Sequence, residues 1–211
     1  MTDSIENKAN PLRAQLKQRR DNQDPVGRNR GALLIRGRLF TWLATQRTRL
    51  KEEGKPVPRH IAAFWSTADE PGLQPLLRQW AEEEGYSVSL PVITAPDTPL
   101  QFRLWTPDTE LIAGPFGIEQ PGDDARLAPS PDIVLVPTLG YTRQGDRIGY
   151  GKGYYDRTLA ALKASGHPFT SIGIAWASGD LSGDNHTPAA HDVRLDSVLT
   201  DKGWAVPAPT L

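Results

Sequence analysis

Cysteine is absent from the 211 residues, which removes thiolate catalysis, Cys-ligated zinc, iron–sulfur clusters and any disulfide framework from consideration. Missing too is a run of roughly eighteen uninterrupted apolar residues, the length a bilayer span demands. The amino-terminal MTDSIENKANPLRAQ carries acids where a signal peptide needs basic residues and has no apolar stretch behind them, so the expected location is cytoplasmic. A large excess of either charge is also lacking, since 24 Lys and Arg face 25 Asp and Glu. With 38% hydrophobic residues the chain is ordinary globular material, and disorder, collagen and coiled coil fit poorly. At this size a chain buries roughly 70% of its surface on folding and needs no staple.

Charge is uneven along the chain. Residues 1–50 hold eleven Lys and Arg against four Asp and Glu. A basic first quarter reads either as a surface for a polyanion, meaning nucleic acid or nucleotide phosphates, or as a solvated helix face. The pattern predicts a short basic helix starting at Asn10-Pro11, then a longer one over about 29–52 that ends at Gly54. HIAAFW, LQPLLRQWAEEEG and YSVSLP form a β-α-β unit, and LQFRLW alternates as a half-buried strand does. From Thr106 to Pro131 the chain reads as loop. DIVLVP is the continuous apolar run of a strand buried on both faces, followed by the helix YYDRTLAALKASG and the strand SIGIAWA. Alternating strands and helices predict a doubly wound α/β fold, and neither a repeat nor a linker divides the chain.

Between a buried strand and its following helix lies TLGYTRQGDRIGYGKGYYD, with Gly140, Gly145, Gly149, Gly151 and Gly153 interleaved with Arg147, Lys152 and Asp156. In open α/β sheets ligands bind beyond the carboxyl ends of the strands. Glycines there let backbone amides approach a phosphate, the next helix offers its positive end, and Arg147 and Lys152 add full charges, so an anion is the expected guest. The spacing is neither a Walker A loop nor GxGxxG, because Gly153 follows Lys152 and Tyr154 takes the last glycine position. A tight structural turn with a solvated Lys152 is the other reading of these residues.

RIGYGKGYYDRTL, placed after a strand that ends in Pro, resembles the signature of the 5-formyltetrahydrofolate cyclo-ligase family, approximately RLGxGxGYYDRxL. The segments around Lys8 and Leu12-Arg13, Phe64 to Glu70, YSVSLP, FGIEQP and AHDVRLDSVLT resemble other parts of that family in the same order. The resemblance implies a single α/β domain over 1–211, three-layered and doubly wound, with a mainly parallel or mixed sheet and basic amino-terminal helices. It implies an ATP- and Mg2+-dependent enzyme that closes 5-formyltetrahydrofolate into 5,10-methenyltetrahydrofolate. A formyl oxygen is a poor leaving group until it is phosphorylated, and phosphoryl transfer is catalysed chiefly by positioning and charge neutralisation.

Carried over by position, the resemblance assigns Arg147 and Lys152 to catalysis. It assigns Lys8, Arg13, Arg147, Gly149, Gly151, Lys152, Gly153 and Tyr154 to ATP, Trp65, Glu70 and Tyr154 to the folate, and Asp156 and Asp192 to magnesium. Folate and ATP are then the small-molecule partners, with no membrane, nucleic acid or obligate protein partner implied. The residues alone also allow Asp156 as a helix cap, Trp65 as packing, Glu70 as a loop acid and Tyr155 as core. The four histidines show no ligand spacing, and the Arg-rich stretch 28–49 reads as a solvated face. Around Glu70, Thr142 and Gly179 the chain departs from the family pattern. A member that binds nucleotide but another ligand or partner is therefore the alternative.

Overall fold

Five apolar residues in a row, Ile133–Pro137, have nowhere to sit except inside a sheet covered on both sides, and they form its middle strand. The structure is a computed structural model that describes residues 3–184 and 186–211, with side chains from Pro11 onward apart from that of residue 185. Two helices come first, α1 (Asp3–Asp21) and α2 (Pro25–Glu52). There follow β1 (His60–Ala62), α3 (Gln74–Glu82), β2 (Ser87–Val92), β3 (Gln101–Trp105), β4 (Leu111–Ala113), β5 (Glu119–Pro121) and β6 (Ile133–Pro137). The last third holds β7 (Gly140–Tyr141), β8 (Arg147–Ile148), α4 (Tyr154–Ala164), β9 (Thr170–Ala175), β10 (Ser197–Thr200) and β11 (Gly203–Val206).

Seven strands form one sheet in the order β11-β10-β9-β6-β1-β2-β3. The five inner strands are parallel, while β3 and β11 close the edges antiparallel, so the sheet is mostly parallel and mixed. Alternate residues divide between two faces. Ile61, Leu90, Ile133, Leu135 and Ile174 pack under Ile35 and Leu39 of α2 and Leu77 and Trp80 of α3. Ala62, Val134, Val136 and Val198 pack under Leu159 of α4. The result is the expected three-layer, doubly wound α/β arrangement. Strand order reverses at β1, which has β2 on one side and β6 on the other, and such a switch point is where ligands bind at the carboxyl ends of the strands.

Three expectations change. Pro11 lies inside α1, which begins at Asp3 rather than at Asn10. Proline forfeits a single backbone donor, and the turns on either side continue the helix. The stretch from 106 to 131 contains the small hairpin β4-β5, and β11 is an edge strand that the pattern did not announce. Nor are the arginines of α2 merely solvated. Arg36 donates to the Gly72 carbonyl at 2.7 Å, Arg38 to the Asp201 carbonyl at 3.0 Å and Arg47 to the Glu84 carbonyl at 3.2 Å. These side chains clamp α2 onto loops at its neighbours' ends. Gly31 is the point of closest approach, since a Cβ there would lie 2.9 Å from both Trp176 and Asp201.

Candidate active site

Beyond β6 the chain folds into the β7-β8 hairpin and then the glycine-rich loop. Gly145 sits at φ +88°, where a Cβ would collide with the Leu195 carbonyl oxygen, so the turn requires glycine. Gly151, at φ +93°, lies against the Arg13 guanidinium, and Arg13 Nε donates to the Gly149 carbonyl at 3.2 Å. Helix α1 is thereby laid over the loop. Gly153, left-handed at φ +66°, precedes α4 without any side-chain cap. The first N–H groups of α4 have no side-chain partner there, the arrangement that receives an anion. Lys8 falls outside the described side chains.

Arg147 and Lys152 occupy very different places. The Arg147 side chain is 4% exposed and its Nη2 lies 2.9 Å from Asp156 Oδ1. Its guanidinium stands 6.0 Å from the Tyr155 ring centre, and its Nε is buried with no partner among the described residues. Lys152 is exposed, with Nζ 5.4 Å from the ring centre of Phe116 on the turn between β4 and β5. Tyr154 is covered by the Arg157 guanidinium at 5.2 Å. Asp156 Oδ1 also accepts from the Val193 N–H at 3.3 Å, which brings the segment containing Asp192 against the loop. Arg194 latches the same segment, donating to Asp146 Oδ1 at 2.6 Å. Asp192 itself accepts the Ala189 N–H at 2.7 Å.

The other half of the site begins where β1 ends. Trp65 donates from Nε1 to Glu119 Oε2 at 2.8 Å and packs 5.7 Å from the Trp105 ring. Glu70 accepts the Thr67 N–H at 2.9 Å. It lines a narrow cleft with Arg20, Thr138, Leu139, Tyr150 and Trp176. Burial and the neighbouring Glu70 both push the Tyr150 phenol up in pKa, and burial does the same to Tyr155. The structure thus brings Arg13, the glycine loop, Arg147, Asp156 and the Asp192 segment together, and Tyr150 of that loop lines one cleft with Glu70. Trp65 is tied instead to the hairpin.

The sequence model of the 5-formyltetrahydrofolate cyclo-ligase family matches residues 5–201. The chain belongs to that family. The 5-formyltetrahydrofolate cyclo-ligase of Mycolicibacterium smegmatis is 34% identical over 198 residues, covering 90% of this chain and 92% of that protein. That of Escherichia coli K12 is 29% identical over 156 residues, covering 72% and 75%. Among solved structures, the 5,10-methenyltetrahydrofolate synthetase of Aquifex aeolicus superimposes with a TM-score of 0.74 at 22% identity, over 96% of this chain and 95% of that one. The synthetase of Mycoplasma pneumoniae gives 0.66 at 22% identity, over 92% and 98%. Both share the fold.

Within this family member, Arg20, Asp69 and Tyr150 are residues that sequence reasoning missed. Asp69 faces Arg20 at 3.2 Å and Arg28 at 3.5 Å, and its carbonyl accepts from Trp176 Nε1 at 2.8 Å. Tyr150 lay inside the quoted motif, yet no spacing links it to Arg20 or Glu70. As for magnesium, no group of three or more His, Asp or Glu that could hold a metal occurs among the described residues. Of the two carboxylates expected to serve it, Asp156 has Oδ1 paired with Arg147 and Asp192 has Oδ2 accepting from the Ala189 N–H, which leaves one oxygen of each for a hard cation that takes oxygen ligands.

Proposed function

We propose that the protein cyclises 5-formyltetrahydrofolate to 5,10-methenyltetrahydrofolate at the expense of ATP, with Mg2+ bound alongside the nucleotide. One observation carries the reading. An uncapped helix N-terminus and a glycine loop overlaid by Arg13 share a switch-point crevice with the Glu70 cleft. Both substrates can then meet across one opening. The γ-phosphoryl group passes to the formyl oxygen, the neighbouring amine nitrogen closes on the formyl carbon and gives up its proton, and the C–O bond breaks with the electron pair leaving on phosphate, which takes up that proton. ADP and inorganic phosphate are the by-products.

The chain's own residues have defined tasks in this account. Lys8, Arg13 and Lys152 gather the triphosphate together with the amides of Gly149, Gly151 and Gly153. Lys152 is the exposed charge of that set, with its Nζ over the Phe116 face. Arg147 presents its field from below while holding Asp156 in place. Asp156 and Asp192 hold Mg2+, which neutralises charge on the phosphates when bound. Glu70 accepts hydrogen bonds from the pterin's amino groups, with Trp65 and Tyr154 flanking the folate. Purified protein given ATP, Mg2+ and freshly reduced 5-formyltetrahydrofolate should accumulate the absorbance of the methenyl product. No product above a control without ATP overturns the proposal.

A further inference from the structure

We infer that Arg157, on the first turn of α4, is a positioning residue for the nucleotide: it holds the Lys152–Gly153 peptide so that the backbone N–H groups of Gly153, Tyr154 and Tyr155 converge on one anion. The inference rests on the nucleotide reading of the glycine-rich loop given above, and it gives a task to a side chain that reading leaves idle.

The Arg157 guanidinium is fixed from several directions. Its Nη2 donates to the Lys152 carbonyl at 2.6 Å and its Nε to the Thr98 carbonyl at 3.4 Å. It stands 5.2 Å from the Tyr154 ring centre, and Asp97 Oδ1 lies 3.7 Å from Nη2. Room for it exists because residue 153 has no side chain, since a Cβ there would lie 2.8 Å from Nη1. The hydroxyl of Thr158, the next residue, accepts the Leu100 N–H at 2.8 Å, so the stretch that carries Thr98 is itself docked on α4.

The consequence lies in a peptide plane. In a trans peptide the carbonyl and the N–H that follows it point in opposite directions. With the Lys152 carbonyl drawn to Arg157, the Gly153 N–H is turned away from the guanidinium, and it meets no backbone acceptor among the described residues. Gly153 is left-handed, at φ 66° and ψ 7°, and Tyr154 opens a right-handed helix. Two successive residues of opposite hand aim their N–H groups, and the one that follows, into a shared concavity of the kind that binds anions. Arg157 grips the first peptide of that concavity from outside. Glycine at 153 accepts φ of either sign, so the plane is easily rotated unless something beyond the backbone holds it. A planar fork suits the task, because it reaches the Lys152 and Thr98 carbonyls together, whereas an ammonium is a point charge.

Calorimetric titration with ATP in the presence of Mg2+, on the wild type, Arg157→Met and Arg157→Lys, tests the role. Arg157→Met should bind ATP about tenfold more weakly, on the order of one hydrogen bond to a charged group, and its KM for ATP should rise in step while kcat stays within about threefold. Arg157→Lys keeps the charge and should recover only part of the loss. Full recovery by lysine would reduce the effect to charge alone and overturn the inference, as would unchanged affinity in Arg157→Met. A second measurement needs no nucleotide. In a Lys202→Arg background, Lys152–Gly153 is the one Lys-Gly peptide in the chain, so 13C-carbonyl lysine combined with 15N-glycine labelling isolates the Gly153 amide resonance. That resonance should move in Arg157→Met. An unmoved resonance overturns the held peptide whether or not the wild type binds ATP. A wild type that binds no ATP, with the resonance still moved by Arg157→Met, leaves the held peptide standing and condemns the nucleotide reading instead.

Discussion

Replacing Arg147 by methionine removes one member of an ion pair that is nearly closed to solvent. The side chains of Arg147 and Asp156 are 4% and 15% exposed and lie 2.9 Å apart. Deleting one partner of a buried pair costs about 3–5 kcal/mol, because the other charge is left behind uncompensated. Asp156 would keep the Val193 N–H at 3.3 Å, and methionine fills most of the vacated volume. Both considerations favour the low end, about 3 kcal/mol. In a chain of this length each kcal/mol moves Tm by roughly 2–4 °C, so Arg147→Met should melt about 6–12 °C below the wild type. Turnover should fall on the order of 100-fold as well, comparable to losing one preorganised electrostatic contact. The companion variant Arg147→Met/Asp156→Leu should regain most of the stability, because a well-packed apolar pair can replace a buried ionic one, but none of the activity. Thermal melts of the three proteins, with an activity measurement on each, check the reasoning. A Tm for Arg147→Met within about 2 °C of the wild type would refute it, as would a double variant no more stable than the single one.

Lys152 offers the contrasting case. It is exposed and rests on the Phe116 face, so Lys152→Ala should leave Tm within about 1 °C while turnover drops on the order of 100-fold; melts and steady-state rates measured together decide this. His60 supplies a pH dependence at the far end of the sheet. It is 3% exposed, its Nε2 lies 2.8 Å from Ser89 Oγ, and burial lowers its pKa from the ordinary value near 6.5. The unfolded chain therefore takes up this proton before the folded one does. Stability from this group is complete above pH about 6.5 and is lost as pH falls below it, at up to about 1.4 kcal/mol per pH unit. In urea titrations from pH about 7.5 down to about 5.5, His60→Gln should show a shallower decline than the wild type. Parallel curves would contradict the assignment.

Where one stretch of sequence both built an element and buried it, the fold was legible. IVLVP could only be an inner strand, and the β-α-β unit from His60 onward announced its two strands through apolar runs, although the second runs through Pro91, expected as its stop, to Val92. The edge was harder to read. Strand β11 is only half-buried along its length, so it carries no alternation strong enough to declare itself, and β4 and β5 are three residues each. For the site, the glycine loop stood out because its spacing is local. Partners were not legible, since nothing in a sequence says which carboxylate an arginine will meet. Arg147, read as a phosphate contact, is found buried against Asp156. Arg20 reaches Asp69 across 49 positions and Tyr150 across 130, a juxtaposition that only the sheet order creates. The arginines of α2 carry the same lesson, because their carbonyl partners lie on loops that other elements deliver.

Following the oxygen atom tests the account most directly. When 5-formyltetrahydrofolate labelled with 18O in its formyl group is turned over with unlabelled ATP and Mg2+, the label should emerge in inorganic phosphate at one atom per methenyl product formed. Label found in water, with unlabelled phosphate, would show that the formyl oxygen departs without ever being phosphorylated and would contradict the role given to the glycine-rich loop.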